Sequence, residues 1–211
     1  MIEYLNEKIE RISEVLSKID KKTWNKIVQN EPEWKYLEKF KYWGFGKFAT
    51  LMIAVALNDY RLKGKANKKY FPELSRFLEE ETKNKIPVSP EELEQILKKF
   101  YEKELSRNRK IERLEKFLKS KLAKRIWNSK IEDVIEDVSK FLCEIHLKLS
   151  EVMDQSPNRK TIVFAMKCLG IAIMMYEEDK KYDFDISISI PVDSRVRNLT
   201  HRITGNKNLN D

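Results

Sequence analysis

Lys160 is the residue best placed, by type and position, to act as a nucleophile. It follows the turn Asp154-Gln155-Ser156-Pro157-Asn158 and Arg159, and it opens the most apolar stretch of the chain, Lys160 to Tyr176. A helix start is positively polarised and Arg159 adds a neighbouring cation, so both favour the neutral amine, and burial would add to this. A neutral lysine amine attacks electrophilic carbon. By position alone, an ordinary first-turn lysine or a phosphate contact would fit as well. Asp193 is the second candidate. It follows Ile190-Pro191-Val192 and heads a predicted helix, where a carboxylate stays ionised and can stabilise a developing positive charge. An N-capping aspartate would occupy the same place.

The third feature is a basic loop. Arg61, Lys63, Lys65, Lys68 and Lys69 surround Gly64, and such a loop can hold phosphate through side chains and backbone N–H groups. A solvated connection between helices would look the same. Trp34 and Tyr70 lie beside chain breaks, where a ring can stack on a nucleobase. The other tryptophans, at helical spacing, read as core.

The elements that must position these residues read as helices. Ile2, Leu5, Ile9, Ile12, Leu16 and Ile19 recur at three- and four-residue spacing and mark an amphipathic helix. A short helix is predicted over Lys22 to Val28. After the break at Asn30-Glu31-Pro32, another carries Trp34, Leu37, Phe40 and Trp43 and ends near Gly44. Phe48 to Tyr60 reads as a buried helix and Pro72 to Glu81 as a further one. Ser89-Pro90-Glu91-Glu92 is a helix start with Ser89 as N-cap. Arg109 to Trp127 and Ile131 to Leu149 are each predicted as one long helix, and Lys160 to Tyr176 as a central buried one. Asp183 to Pro191 alternates Phe184, Ile186, Ile188 and Ile190 with polar residues, which predicts an extended segment, followed by a helix over Asp193 to Leu199. The expectation is an all-α protein.

With 211 residues, the chain can form one sizeable core or two small helical lobes. Its 42 Lys+Arg against 34 Asp+Glu give a net charge of +8, which favours an acidic partner, nucleic acid before membrane. Cys143 and Cys168 sit in apolar stretches with no CxxC, and only His146 and His201 accompany them. That inventory points to buried thiols in a reducing compartment and supplies almost no ligands for a metal. The N-terminus lacks a signal-peptide core, and the longest apolar run, Leu51 to Leu57, is too short to cross a bilayer. An intracellular, cytoplasmic protein with no membrane role is expected.

Two blocks carry more than composition. Arg159-Lys160-Thr161-Ile162-Val163-Phe164-Ala165-Met166-Lys167 and Ile188-Ser189-Ile190-Pro191-Val192-Asp193-Ser194-Arg195-Val196, the latter followed by Leu199-Thr200, resemble the archaeal 8-oxoguanine DNA glycosylase family, a branch of the helix-hairpin-helix glycosylases. A third block, Asn58-Asp59-Tyr60-Arg61-Leu62-Lys63-Gly64-Lys65, is similar to another of its patterns. The resemblance spans about residues 44–80 and 140–205. It implies a single domain over 1–211 made of two helical subdomains, with a helix-hairpin-helix core and a lesion pocket between them. It also implies Lys160 as the Schiff-base nucleophile, Asp193 as the catalytic acid, and Lys167 as a residue tuning the pocket. Arg61, Lys63, Gly64, Lys65, Arg159 and Arg195 would meet the backbone of damaged duplex DNA. Glu33, Trp34 and Tyr70 would lie near the flipped base. No metal or organic cofactor is implied. Two departures stand out. Glu33 occupies the place of the glutamine that reads the base in that family, and a carboxylate accepts hydrogen bonds but donates none unless protonated. The family's C-terminal Pro-Leu-His-rich segment with its tryptophan is also absent from these 211 residues. A DNA-binding protein on the same fold without catalysis, a helical interaction module, and a glycosylase for another lesion are the rival expectations.

Overall fold

The computed structural model describes residues 2–83 and 85–177, together with Asn198 and Arg202. Every regular element among them is helical. Asp193, Arg195, the expected extended segment over 183–191 and nearly all of the helix expected after it lie outside the described residues.

The chain divides into two compact units, residues 1–30 with 190–211, and residues 31–189. In the first, α1 spans Ile2–Ser17 and α2 spans Lys21–Gln29. Asp20 starts α2, its carboxylate accepting from the Thr23 backbone N–H at 2.7 Å, which satisfies one of the helix's free N–H groups.

The second unit begins with α3, Pro32–Leu37, with proline in the first turn. At Glu38 the chain tightens into a 3-10 helix through Trp43. It stops at Gly44, whose φ of 90° suits a residue without Cβ. Next comes α4, Phe45–Ala56, buried on nearly every face. A loop and a π-turn over Ala66–Tyr70 lead to α5, Phe71–Thr82. Ser89 caps α6, Pro90–Tyr101, accepting from the Glu92 N–H at 3.2 Å.

Two expected long helices are each divided. Arg109 to Trp127 forms α7, Arg107–Leu118, and α8, Lys121–Trp127. Ser120 between them adopts an extended conformation, and its hydroxyl accepts from Ala123 N–H at 3.1 Å. Likewise Ile131 to Leu149 forms α9, Ile131–Glu136, and α10, Val138–Met153, with Asp137 capping the second through the Lys140 N–H at 2.9 Å. In both cases a short polar side chain competes for backbone N–H groups and restarts the helix.

The last described helix, α11, is Lys160–Tyr176. It pairs with α4 at the centre of the unit, burying Ile162, Val163, Met166, Leu169, Ile173 and Met175 among others. Each such side chain contributes roughly 1.5–3 kcal/mol relative to exposure. No described helix is long and apolar enough to cross a membrane.

Candidate active site

The α10–α11 hairpin sets the position of Lys160. It turns without glycine. Asp154 takes the left-handed conformation, φ 51°, one of the few non-glycine residue types that adopt it readily. Gln155 N–H then bonds back to Ser150 O at 3.0 Å, and Arg159 N–H to Ser156 O at 2.9 Å. The buried His146 on α10 reaches across, its ring Nε2 2.9 Å from Pro157 O. Arg159 caps α11 through its carbonyl, accepting from Ile162 and Val163 at 2.8 and 3.0 Å. Lys160 is the first residue of the helix, and both it and Arg159 are exposed. The burial that would have added to its activation is therefore absent from this unit.

Two turns along the same helix face, Lys167 is half-buried. Its ammonium lies 3.0 Å from Glu31 Oε2 and 5.2 Å from the centre of the Phe164 ring. Burial opposes that charge, but Glu33 and Glu31 outweigh it and raise the lysine's pKa. Glu33 itself is 4% exposed, and its Oε2 has no hydrogen-bond partner. Burial pushes its carboxyl up and Lys167 pulls against this. Trp34, beside it, is 5% exposed and part of the core.

At the end of α4, Asp59 completes the group. Burial raises its pKa, and Lys110, Lys167 and Lys160 each oppose the rise. A carboxylate in the loop just after α4 thus lies within electrostatic reach of Lys160, and the sequence alone did not single it out. The one available signal was its place between an apolar helix and a basic loop. That loop follows directly. Arg61, Lys63, Gly64 and Lys65 are all exposed, with Arg61 at φ 44° and Gly64 at φ 151°. Tyr70 closes it, 2% exposed, its hydroxyl 3.1 Å from that of Tyr101.

Lys167 thus interacts with Glu31, Glu33 and Asp59, and Lys160 lies within electrostatic reach of Asp59. Among the described residues no three of His, Cys, Asp and Glu are grouped as metal ligands would be. A cavity of about 450 Å³ lined by Trp43, Phe45, Trp127 and Tyr176 lies elsewhere. It sits at the other end of α11, roughly 24 Å from Lys160 at 1.5 Å per residue.

The second unit is thus all helical among its described residues and presents a lysine at a hairpin-fed helix start, with the buried Glu33, the half-buried Asp59 and a cationic loop in the same unit. The chain belongs to the family described as AGOG, N-glycosylase/DNA lyase, whose model matches residues 13–209. A protein of Methanopyrus kandleri described as N-glycosylase/DNA lyase is 39% identical over 61 residues. That match takes in 28% of this chain and 24% of the relative, so the chain spans about a quarter of that protein's length in it. In fold, the chain is similar to the 8-oxoguanine DNA glycosylase from Pyrobaculum aerophilum, solved in complex with 8-oxoguanosine. The TM-score is 0.67 at 22% identity, over 92% of this chain and 70% of that one.

Proposed function

We propose that this protein is a base-excision repair enzyme, a bifunctional DNA glycosylase and abasic-site lyase that removes an oxidised purine, 8-oxoguanine first among them. The observation that carries this reading is Lys160, which stands exposed at the start of the central helix with the half-buried Asp59 in electrostatic reach, in a chain of the N-glycosylase/DNA lyase family.

The cationic loop and Arg159 hold the phosphates of damaged duplex DNA, together with Arg195. The damaged nucleotide leaves the stack and its sugar is brought to Lys160. Neutral Lys160 attacks the sugar C1′. The new N–C1′ bond forms as the glycosidic bond breaks, and the base departs with the bonding electrons and takes up a proton. Asp193 stabilises the positive charge that builds on the sugar and assists transfer of the lysine proton. Ring opening gives a Schiff base. Loss of a C2′ proton then expels the 3′ phosphate, and water hydrolyses the Schiff base to return the lysine. Lys167 and Glu33 lie on the side of the base, backed by the buried Trp34, and the buried Tyr70 anchors the end of the loop. No metal takes part. The protein works inside the cell, at the chromosome.

Borohydride trapping tests this. A duplex with one 8-oxoguanine, and separately one with an abasic site, is mixed with protein and borohydride. We expect a covalent protein–DNA adduct on both, lost in Lys160→Ala. An adduct on the abasic site alone would retain the lyase and move the search to another base. Folded protein that binds duplex but gives no adduct would overturn the enzymatic reading.

A further inference from the structure

The segment from Tyr60 to Tyr70 carries the five cations of the basic loop, and both its ends converge on one buried ammonium. Lys110, on α7, is 0% exposed. Its Nζ lies 5.5 Å from the centre of the Tyr60 ring and 5.7 Å from those of Tyr70 and Tyr101. It pairs with Glu104 Oε2 at 3.2 Å. That same oxygen accepts from the Lys63 backbone N–H at 3.3 Å, in the middle of the loop. Just before the loop, the Asn58 side-chain amide donates to Lys110 O at 3.2 Å. Arg113, one turn further along α7, lies 4.6 Å over the Tyr60 ring and donates to Leu57 O at 3.1 Å. Start, middle and end of the loop are therefore fastened to Lys110 or to its immediate partners.

A buried ion pair is a poor way to gain stability, because desolvating both charges consumes much of what their attraction returns. An apolar side chain would fill the same volume at less cost. A caged cation does supply direction: it fixes which rings face it and where the paired carboxylate points. Resting on the reading of the chain as a DNA enzyme, we propose that Lys110 is a positioning residue that clasps the 61–69 loop into a single phosphate-binding shape.

Three variants test it: Lys110→Met, Tyr60→Leu, and Tyr60→Phe, which keeps the ring. The first readout needs no DNA. Trypsin cleavage after Arg61, Lys63 and Lys65 in the folded protein is expected to accelerate by ~10-fold or more in Lys110→Met and Tyr60→Leu, and to stay at the wild-type rate in Tyr60→Phe. The second readout is binding to a duplex with a non-cleavable abasic analogue across a salt series. The two clasp variants are expected to bind ~10-fold more weakly, with a shallower salt slope. At saturating abasic-site DNA Tyr60→Leu, which leaves the Lys110 charge beside Asp59 in place, should still give the borohydride adduct at the wild-type rate, so the loss falls on KM and spares kcat. A merely structural role would instead lower melting temperature and trapping together. Unchanged trypsin protection and unchanged salt slope in folded variants would overturn the proposal. Should Lys110→Met fail to fold, Tyr60→Leu against Tyr60→Phe decides. If wild-type protein binds no duplex, the functional reading fails while the trypsin comparison still judges the clasp.

Discussion

Glu33 brings a carboxyl into the interior with one oxygen unpartnered, and that has a pH signature. Burial raises its pKa above the ordinary 4.5, with Lys167 opposing. The folded protein thus favours the neutral acid. Its contribution to stability is complete below pH 4.5 and is lost as pH rises through the raised pKa. Glu33→Gln, which keeps the shape and cannot ionise, is expected to match the wild type near pH 4 and to melt higher at pH 8, by about 1 kcal/mol. Lys167 keeps Glu31 as a partner in that variant. Thermal melts at both pH values check it, and a lower melting point for the variant at pH 8 would contradict it. The same environment explains which residues sequence alone could find. Lys160 was legible because a lysine opening an apolar helix stands out in one dimension. Asp59 was not, because its importance lies in its partial burial and in the charges of lysines on α7 and α11 that act on it in the folded chain. Lys110 escaped for the same reason, reading as one basic residue in a charged helix.

At the scale of elements, the contact between α4 and α8 is governed by Gly46. A Cβ there would meet the backbone oxygens of Ile126, Trp127 and Ser129 at 2.4, 2.4 and 2.7 Å. Backbone cannot swing aside as a side chain can. Gly46→Ala is expected to force the helices apart and cost about 2 kcal/mol, seen as a lower urea midpoint, whereas an unchanged midpoint would show that α8 yields freely. Helix existence and type were readable from apolar spacing, as α11 and the Ser89 cap of α6 show. The breaks at Ser120 and Asp137 were not. Apolar spacing continues across both, and whether a lone Ser or Asp caps or merely interrupts depends on where the next helix must pack. The turn before Lys160 was readable, since Asp154 to Asn158 are turn-forming residue types, and Asp154 takes the left-handed conformation there without a glycine.

Across the whole molecule the net charge is +8, and five cations fall in the loop after α4. Phosphate binding by such a surface releases counterions, so affinity for duplex should fall steeply with salt. Replacing Arg61, Lys63 and Lys65 with serine is expected to reduce the slope of log affinity against log salt by about 0.9 for each phosphate no longer neutralised. A parallel line at lower affinity would mean the loop touches no phosphate. At this scale the sequence was most informative, since the blocks at 58–65, 159–167 and 188–196 already pointed to the family that the match over residues 13–209 establishes. The all-helical class followed from scarce glycine and helical periodicity.

One residue of the central helix has a bearing on endurance. Cys168 follows Lys167 directly, is 1% exposed, and its ionisation is pushed well above the ordinary thiol range, first by burial and then by Glu33. Oxidants attack the thiolate at the surface, and sulfenic and sulfinic acids form there first. A thiol held protonated and out of reach does not enter that sequence, so peroxide would spend itself on the half-buried Cys143 before it altered the helix that carries Lys160. Under oxidative stress Cys168 would therefore stay a thiol inside the helix that carries Lys160.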